Sequence, residues 1–118
     1  MENFELNAEM LLTSREMLAA CNDLEKHAKA YATAHRDFKR ERAKALLTST
    51  HKTVSDREAE ADVAVDEHRF KNYLEQGLMQ AALERVRSLR AKLSTLQTMA
   101  NSNKEEMAFT RTGPQFER

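Results

Sequence analysis

Glycine occurs twice in this 118-residue chain, proline once, cysteine once and tryptophan never. Each scarcity excludes something. A sheet protein needs tight turns, and two glycines with one proline cannot supply a sandwich or barrel with them. The lone Cys21 rules out an internal disulfide and a multi-thiolate metal site, which fits a reducing compartment. We expect it to be a small buried residue. No run approaches the about 18 apolar residues that span a bilayer, and the acidic start MENFELNAE lacks the layout of a secretory signal. The expected location is therefore cytoplasmic, with no membrane partner.

What remains is charge and alanine. Charged residues make up 32% of the chain and hydrophobic ones 41%, the composition of long amphipathic helices. The expected fold class is all-α, one domain spanning residues 1–118. Thin, alanine-rich helices bury only a narrow seam within one copy, so a homo-oligomeric assembly is the natural remedy.

The net charge of zero conceals segregation into blocks. Residues 1–25 hold six acids against Arg15, and residues 26–52 hold eight bases against Asp37 and Glu41. Residues 53–67 then hold six acids against Arg57, and residues 68–104 hold seven bases against Glu75 and Glu84. Such alternation suits ion pairing between neighbouring segments or chains, or leaves basic blocks for a polyanion.

Thr13 followed by Glu16 has the form of a capping box and sets the expected start of a helix over 13–47. Residues 1–12 are left as a segment able to form a short helix of its own. Within 13–47, Met17, Cys21, Leu24, Ala28, Tyr31, His35 and Phe38 recur at spacings of four and three, a coiled-coil-like seam. A helix of that extent is roughly 50 Å long and needs a second helix against it. The stretch TSTHKTVS, residues 48–55, has no apolar period and reads as a loop.

Ser55 and Glu58 form a second capping box, and a helix over 56–103 follows, its seam running through Val63, Phe70, Leu74, Leu78, Ala82, Val86, Leu89, Leu93, Leu96 and Ala100. The spacing shifts near Gly77, which suggests a bend or a point of close packing. Residues 104–118, with Gly113 and Pro114, are expected to form a loosely ordered tail whose Phe109 and Phe116 are apolar enough to dock on a neighbour. The whole is an antiparallel helical hairpin.

Catalytic patterns are missing. A di-iron bundle carries Glu-x-x-His, but His27, His35, His51 and His68 follow Leu24, Ala32, Thr48 and Val65 at that spacing. Asp62 and Asp66 beside Glu58 read as a solvated stripe rather than a metal site. We find neither a glycine-rich phosphate loop nor a nucleophile elbow, so we expect no enzyme, no metal and no cofactor.

Two basic clusters stand out. Arg36, Lys39, Arg40, Arg42 and Lys44 crowd the end of the first long helix, and Arg85, Arg87, Arg90 and Lys92 sit in the second. In a hairpin each faces an acidic block, which gives both a structural role. Repeated around an oligomer, the same clusters make a positive track that holds nucleic-acid backbone without reading sequence. Aromatics are sparse beside them, so phosphate contact outweighs base stacking.

The stretch Ala82–Met99, ALERVRSLRAKLSTLQTM, resembles the C-terminal part of the UvsY-type recombination mediators of phages. The order upstream is also similar: a basic helix end with Lys39, Arg40, Arg42 and Lys44, a polar loop, then an acidic helix start. The resemblance covers about the last 80 residues. It implies a ring-like homo-oligomer that binds single-stranded DNA and helps a RecA-like recombinase load where single-strand-binding protein is present, with Lys39, Arg40, Arg42 and Lys44 as DNA contacts. The chain departs from that family in its neutral charge and shorter N-terminal part. The rival readings are a scaffold whose charge blocks serve self-assembly, and a phage-type inhibitor presenting the acids from Asp56 to Glu67 to a host protein.

Overall fold

A computed structural model describes residues 2–116, and side chains for residues 2–110. Among the described residues there are three helices and no strand: α1 (Asn3–Thr48), α2 (Val54–Ala64) and α3 (Asp66–Phe116). The all-α hairpin is as expected, with α1 and α3 packed against each other. None of these helices is long and apolar enough to cross a membrane.

The helices begin and end at places the capping signals only partly locate. α1 starts at Asn3, ten residues before Thr13, because Glu5, Leu6, Ala8, Glu9, Met10 and Leu11 are themselves strong helix formers. Thr13 is no cap; it is fully buried in the seam. The loop is shorter than 48–55, and the cap of α2 is Thr53, whose Oγ1 accepts from the Asp56 amide at 3.1 Å. Thr-x-x-Asp thus supersedes Ser55 and Glu58, since the first cap available along the chain satisfies the orphan amides. Inside the loop Ser49 Oγ donates to Glu60 at 2.7 Å, and the same carboxylate lies 3.1 Å from His51 Nε2.

The interruption in the second helical stretch falls at Val65, not at Gly77. Val65 has φ −108° and ψ 18°, outside helical values, yet its amide still bonds Ala61 O and its carbonyl still accepts from Arg69. Gly77 lies within continuous helix, and a Cβ built there meets nothing within 4 Å, so it is neither a bend nor a close-packing point inside the chain. At the far end α3 runs to Phe116, beyond the expected stop near residue 103. Lys104, Glu105, Glu106, Met107 and Ala108 all favour helix, and Asn3 donates to Met107 Sδ at 3.2 Å while accepting from Asn103 at 3.1 Å. The Phe116 side chain lies outside the described residues.

Packing divides the chain into two compact units, one of Met1–Cys21 with Glu84–Arg118 and one of Asn22–Leu83. In the first, which we call the end unit, the buried positions are Leu6, Thr13 and Ala20 from α1 with Val86, Leu89 and Leu96 from α3. These recur at three and seven residues, the signature of one helical face on each element. Val86, Leu89 and Leu96 lie on the seam the sequence predicts; Cys21, expected to be buried, is exposed, and Ala20 beside it takes the inward place.

The second, or turn, unit buries Ala34, Ala61, Val65 and Asn72. Here the sequence seam is corrected more deeply. Val63, Phe70, Leu74 and Leu78 are exposed by 79, 66, 48 and 41%. The inward face instead follows Val65, Asn72 and half-buried Glu75 and Met79, one helical face away. The stripe of larger apolar residues faces out because Ala61, Val65, Asn72 and Met79, spaced by four and seven residues, keep a different face inward on both sides of Val65.

Candidate nucleic-acid interface

The first basic cluster lies in the turn unit on the last third of α1. Helical periodicity sends Ala34 inward, so positions two, five, six and ten residues later point away from it. Arg36, Lys39, Arg40 and Lys44 are accordingly exposed. Arg36 and Arg40 each donate to Asp37 Oδ1, at 3.3 and 3.2 Å, and Lys44 reaches Glu41 at 3.4 Å. The Arg40 and Lys44 pairs span three residues of one helix, and all three basic side chains are more than half exposed. Water screens such pairs, which are each worth about 0.5 kcal/mol or less and are readily exchanged for a phosphate. Five bases against Asp37 and Glu41 leave +3 on nine residues, 5 minus 2.

Arg42 behaves differently. Its Nε donates to Asp62 Oδ1 at 3.2 Å, joining α1 to α2, and Arg69 reaches the same oxygen at 2.8 Å from α3. The Arg69 guanidinium also stands 5.9 Å from the centre of the Phe38 ring. One carboxylate thus holds two guanidiniums across three helices, and a cation–π contact seats one of them. Asp62 belongs to this lock, which accounts for it without a metal. Arg69 is the residue that sequence reading passed over. Its only signal there is a position two turns after Asp62, across an interruption that the sequence does not mark.

Beside the cluster is an open hollow of about 460 Å³ lined by Phe38, Lys39, Arg42, Ala43 and Leu46. Its walls are apolar, with the cationic side chains of Lys39 and Arg42 at its rim. Leu47, one residue on, is 86% exposed.

The second cluster lies in the end unit. Lys92 is engaged with Glu9 of α1 at 3.5 Å, and Arg87 with Glu84 one turn earlier at 2.7 Å. Arg85 and Arg90 are exposed and make no ion pair among the described residues. The Lys92–Glu9 and Arg42–Asp62 pairs realise the expected opposition of basic and acidic blocks, each within its own unit. The nine basic residues therefore sort into two used to hold helices together, Arg42 and Lys92, and seven that project into solvent.

The remaining histidine on the expected seam, His35, is half-buried, its ring 5.6 Å from that of Tyr31 and its Nδ1 buried without a hydrogen-bond partner. It is packed rather than presented. No family model, curated protein or solved structure matches the chain.

Proposed function

We propose that this protein binds single-stranded DNA through its sugar–phosphate backbone, as an oligomeric recombination mediator that assists a RecA-like recombinase on DNA covered by single-strand-binding protein. The observation that carries this reading is the exposed group Arg36, Lys39, Arg40 and Lys44 on one short stretch of helix, held only by pairs that water screens. The DNA replaces Asp37 and Glu41 as the partner and releases counterions, so binding is sequence-tolerant and salt-sensitive. Arg85, Arg87 and Arg90 add a second point of contact. An oligomer multiplies weak contacts into useful avidity. The resemblance of Ala82–Met99 to the phage mediators supports the recombination role; no cofactor enters.

A scaffold role for the charge blocks is the second reading, favoured by Arg42 and Lys92, which serve helix packing. The two are separated by titrating a labelled oligonucleotide in fluorescence anisotropy at 50 and 200 mM salt. A mediator binds at the lower salt, loses at least tenfold in affinity at the higher, and accelerates recombinase loading onto coated single strands. A scaffold shows no binding at either salt. Loss of binding in the Arg36→Ala, Lys39→Ala, Arg40→Ala, Lys44→Ala chain, with unchanged helicity, assigns it to this cluster.

A further inference from the structure

The outer face of α3 in the turn unit carries a contiguous apolar stripe whose residues have no place in the hairpin seam. Phe70, Tyr73, Leu74 and Leu78 are exposed by 66, 63, 48 and 41%. With Gly77 and Ala81 they follow spacings of three and four and share one face, opposite the inward face of Asn72 and Met79. Together they expose about 400 Å² of apolar side chain, taking about 200 Å² for each aromatic. That is the size at which apolar patches on single-chain proteins are commonly functional.

We propose that this stripe is the contact surface for a second copy of the same chain, paired antiparallel on itself about a twofold axis close to Gly77. Four observations single out that occupant. The first is the stripe itself, a contiguous apolar face of α3 left uncovered within its own unit.

Gly77 provides the second observation. A mid-helix glycine weakens its helix, and no neighbour within the chain explains this one, since a Cβ there meets nothing within 4 Å. A second helix crossing at that point does explain it, because the missing side chain lets two backbones approach.

The stripe is also self-complementary. Centred at residue 76, one position from Gly77, an antiparallel twin sets Leu74 against Leu78 and Leu78 against Leu74, and brings Phe70 level with the small pair Ala81 and Ala82. Large meets small at each end, as a twofold contact requires.

Charge fixes the direction. Asp66 and Glu67 begin α3 at one end of the stripe, and the sequence past Ala81 turns basic with Arg85 and Arg87. A parallel pair stacks acid on acid. The antiparallel pair sends the acidic ends apart and brings each alongside the basic part of the other α3. The comparable outer stripe of α1, Phe4, Leu11 and Leu18, sits in the acidic block of residues 1–25 and is not self-complementary in charge.

The proposal stands apart from DNA binding, and its test reads mass alone. Light scattering of the full chain at 5 and 200 µM should show a mass that rises with concentration. Leu74→Ser with Leu78→Ser should lower it at least tenfold in association constant with unchanged circular dichroism, and Leu11→Ser with Leu18→Ser should leave it as in the parent. A second arm does not depend on loss of binding. Chains carrying Leu74→Cys and chains carrying Leu78→Cys, both with Cys21→Ser, should form a disulfide heterodimer under mild oxidation. A parent that stays one chain at 200 µM overturns the proposal, as does association disturbed by the α1 pair rather than the α3 pair, or failure of the two cysteine chains to cross-link. If the α3 face binds a different protein instead, the parent is monomeric and the cysteine chains stay apart.

Discussion

The end unit and the turn unit are built from the same two long helices and solve the burial problem in opposite ways. In the end unit the bulky apolar residues Leu6, Val86, Leu89 and Leu96 face inward, with Phe4, Leu11, Leu18 and Phe109 left outside. In the turn unit the inward face is small or polar, with Ala34, Ala61 and Asn72, while Phe70, Leu74 and Leu78 of α3 face out and α1 carries an exposed basic cluster. An apolar face left unburied contributes little to holding its own chain together. The end unit is therefore the region whose bulky core stabilises the hairpin, and the turn unit is the one that presents an apolar face of α3 together with the first basic cluster.

That contrast is sharpest in core truncations. Leu89→Ala or Leu96→Ala should cost about 2–4 kcal/mol in urea denaturation followed by circular dichroism, the transfer term plus the cavity left behind. Leu74→Ala, in a chain dilute enough to be one copy, should change stability by about 0.5 kcal/mol or less. Equal losses at both positions would erase the distinction between the units. Ala61, fully buried where α2 meets the hairpin, has no room to grow, so Ala61→Leu should cost about 1–3 kcal/mol from overpacking.

Smaller effects sharpen the comparison from the polar side. Thr13 Oγ1 is buried without a partner, and Thr13→Val keeps the shape while removing the unsatisfied hydroxyl. It should raise stability by about 1 kcal/mol, read from the urea midpoint at constant slope. Asp62→Ala frees Arg42 and Arg69 together, but all three side chains are about a third exposed or more, so the loss should be about 1 kcal/mol or less and should shrink as salt is added.

How much of this is legible in the sequence follows the same division. Helix content, the loop after α1 and the seam Val86–Leu89–Leu96 are readable because apolar period and burial coincide there. They part company in the turn unit. Phe70, Leu74 and Leu78 make a better apolar period than Val65, Asn72 and Met79, and a period reports only that a face is apolar, not what covers it. The Thr13–Glu16 pair misleads for a related reason: a capping box is a local pattern, and strong helix formers on its N-terminal side allow the helix to run through it. Gly77 draws attention as a breaker, whereas the backbone yields at Val65, an unremarkable residue before Asp66. Among the basic residues, the two that join helices, Arg42 and Lys92, look no different in sequence from the seven that project, since only tertiary placement brings Asp62 and Glu9 to them.

The most direct test of the turn unit as the presenting region is the salt slope of single-stranded DNA affinity for the parent chain and for the Arg36, Lys39, Arg40 and Lys44 alanine variant. Each phosphate contact contributes about 0.7 to the slope of log affinity against log salt on a single strand, so removing four should flatten it by about 3. An unchanged slope, or a parent that does not bind at low salt, would contradict the account.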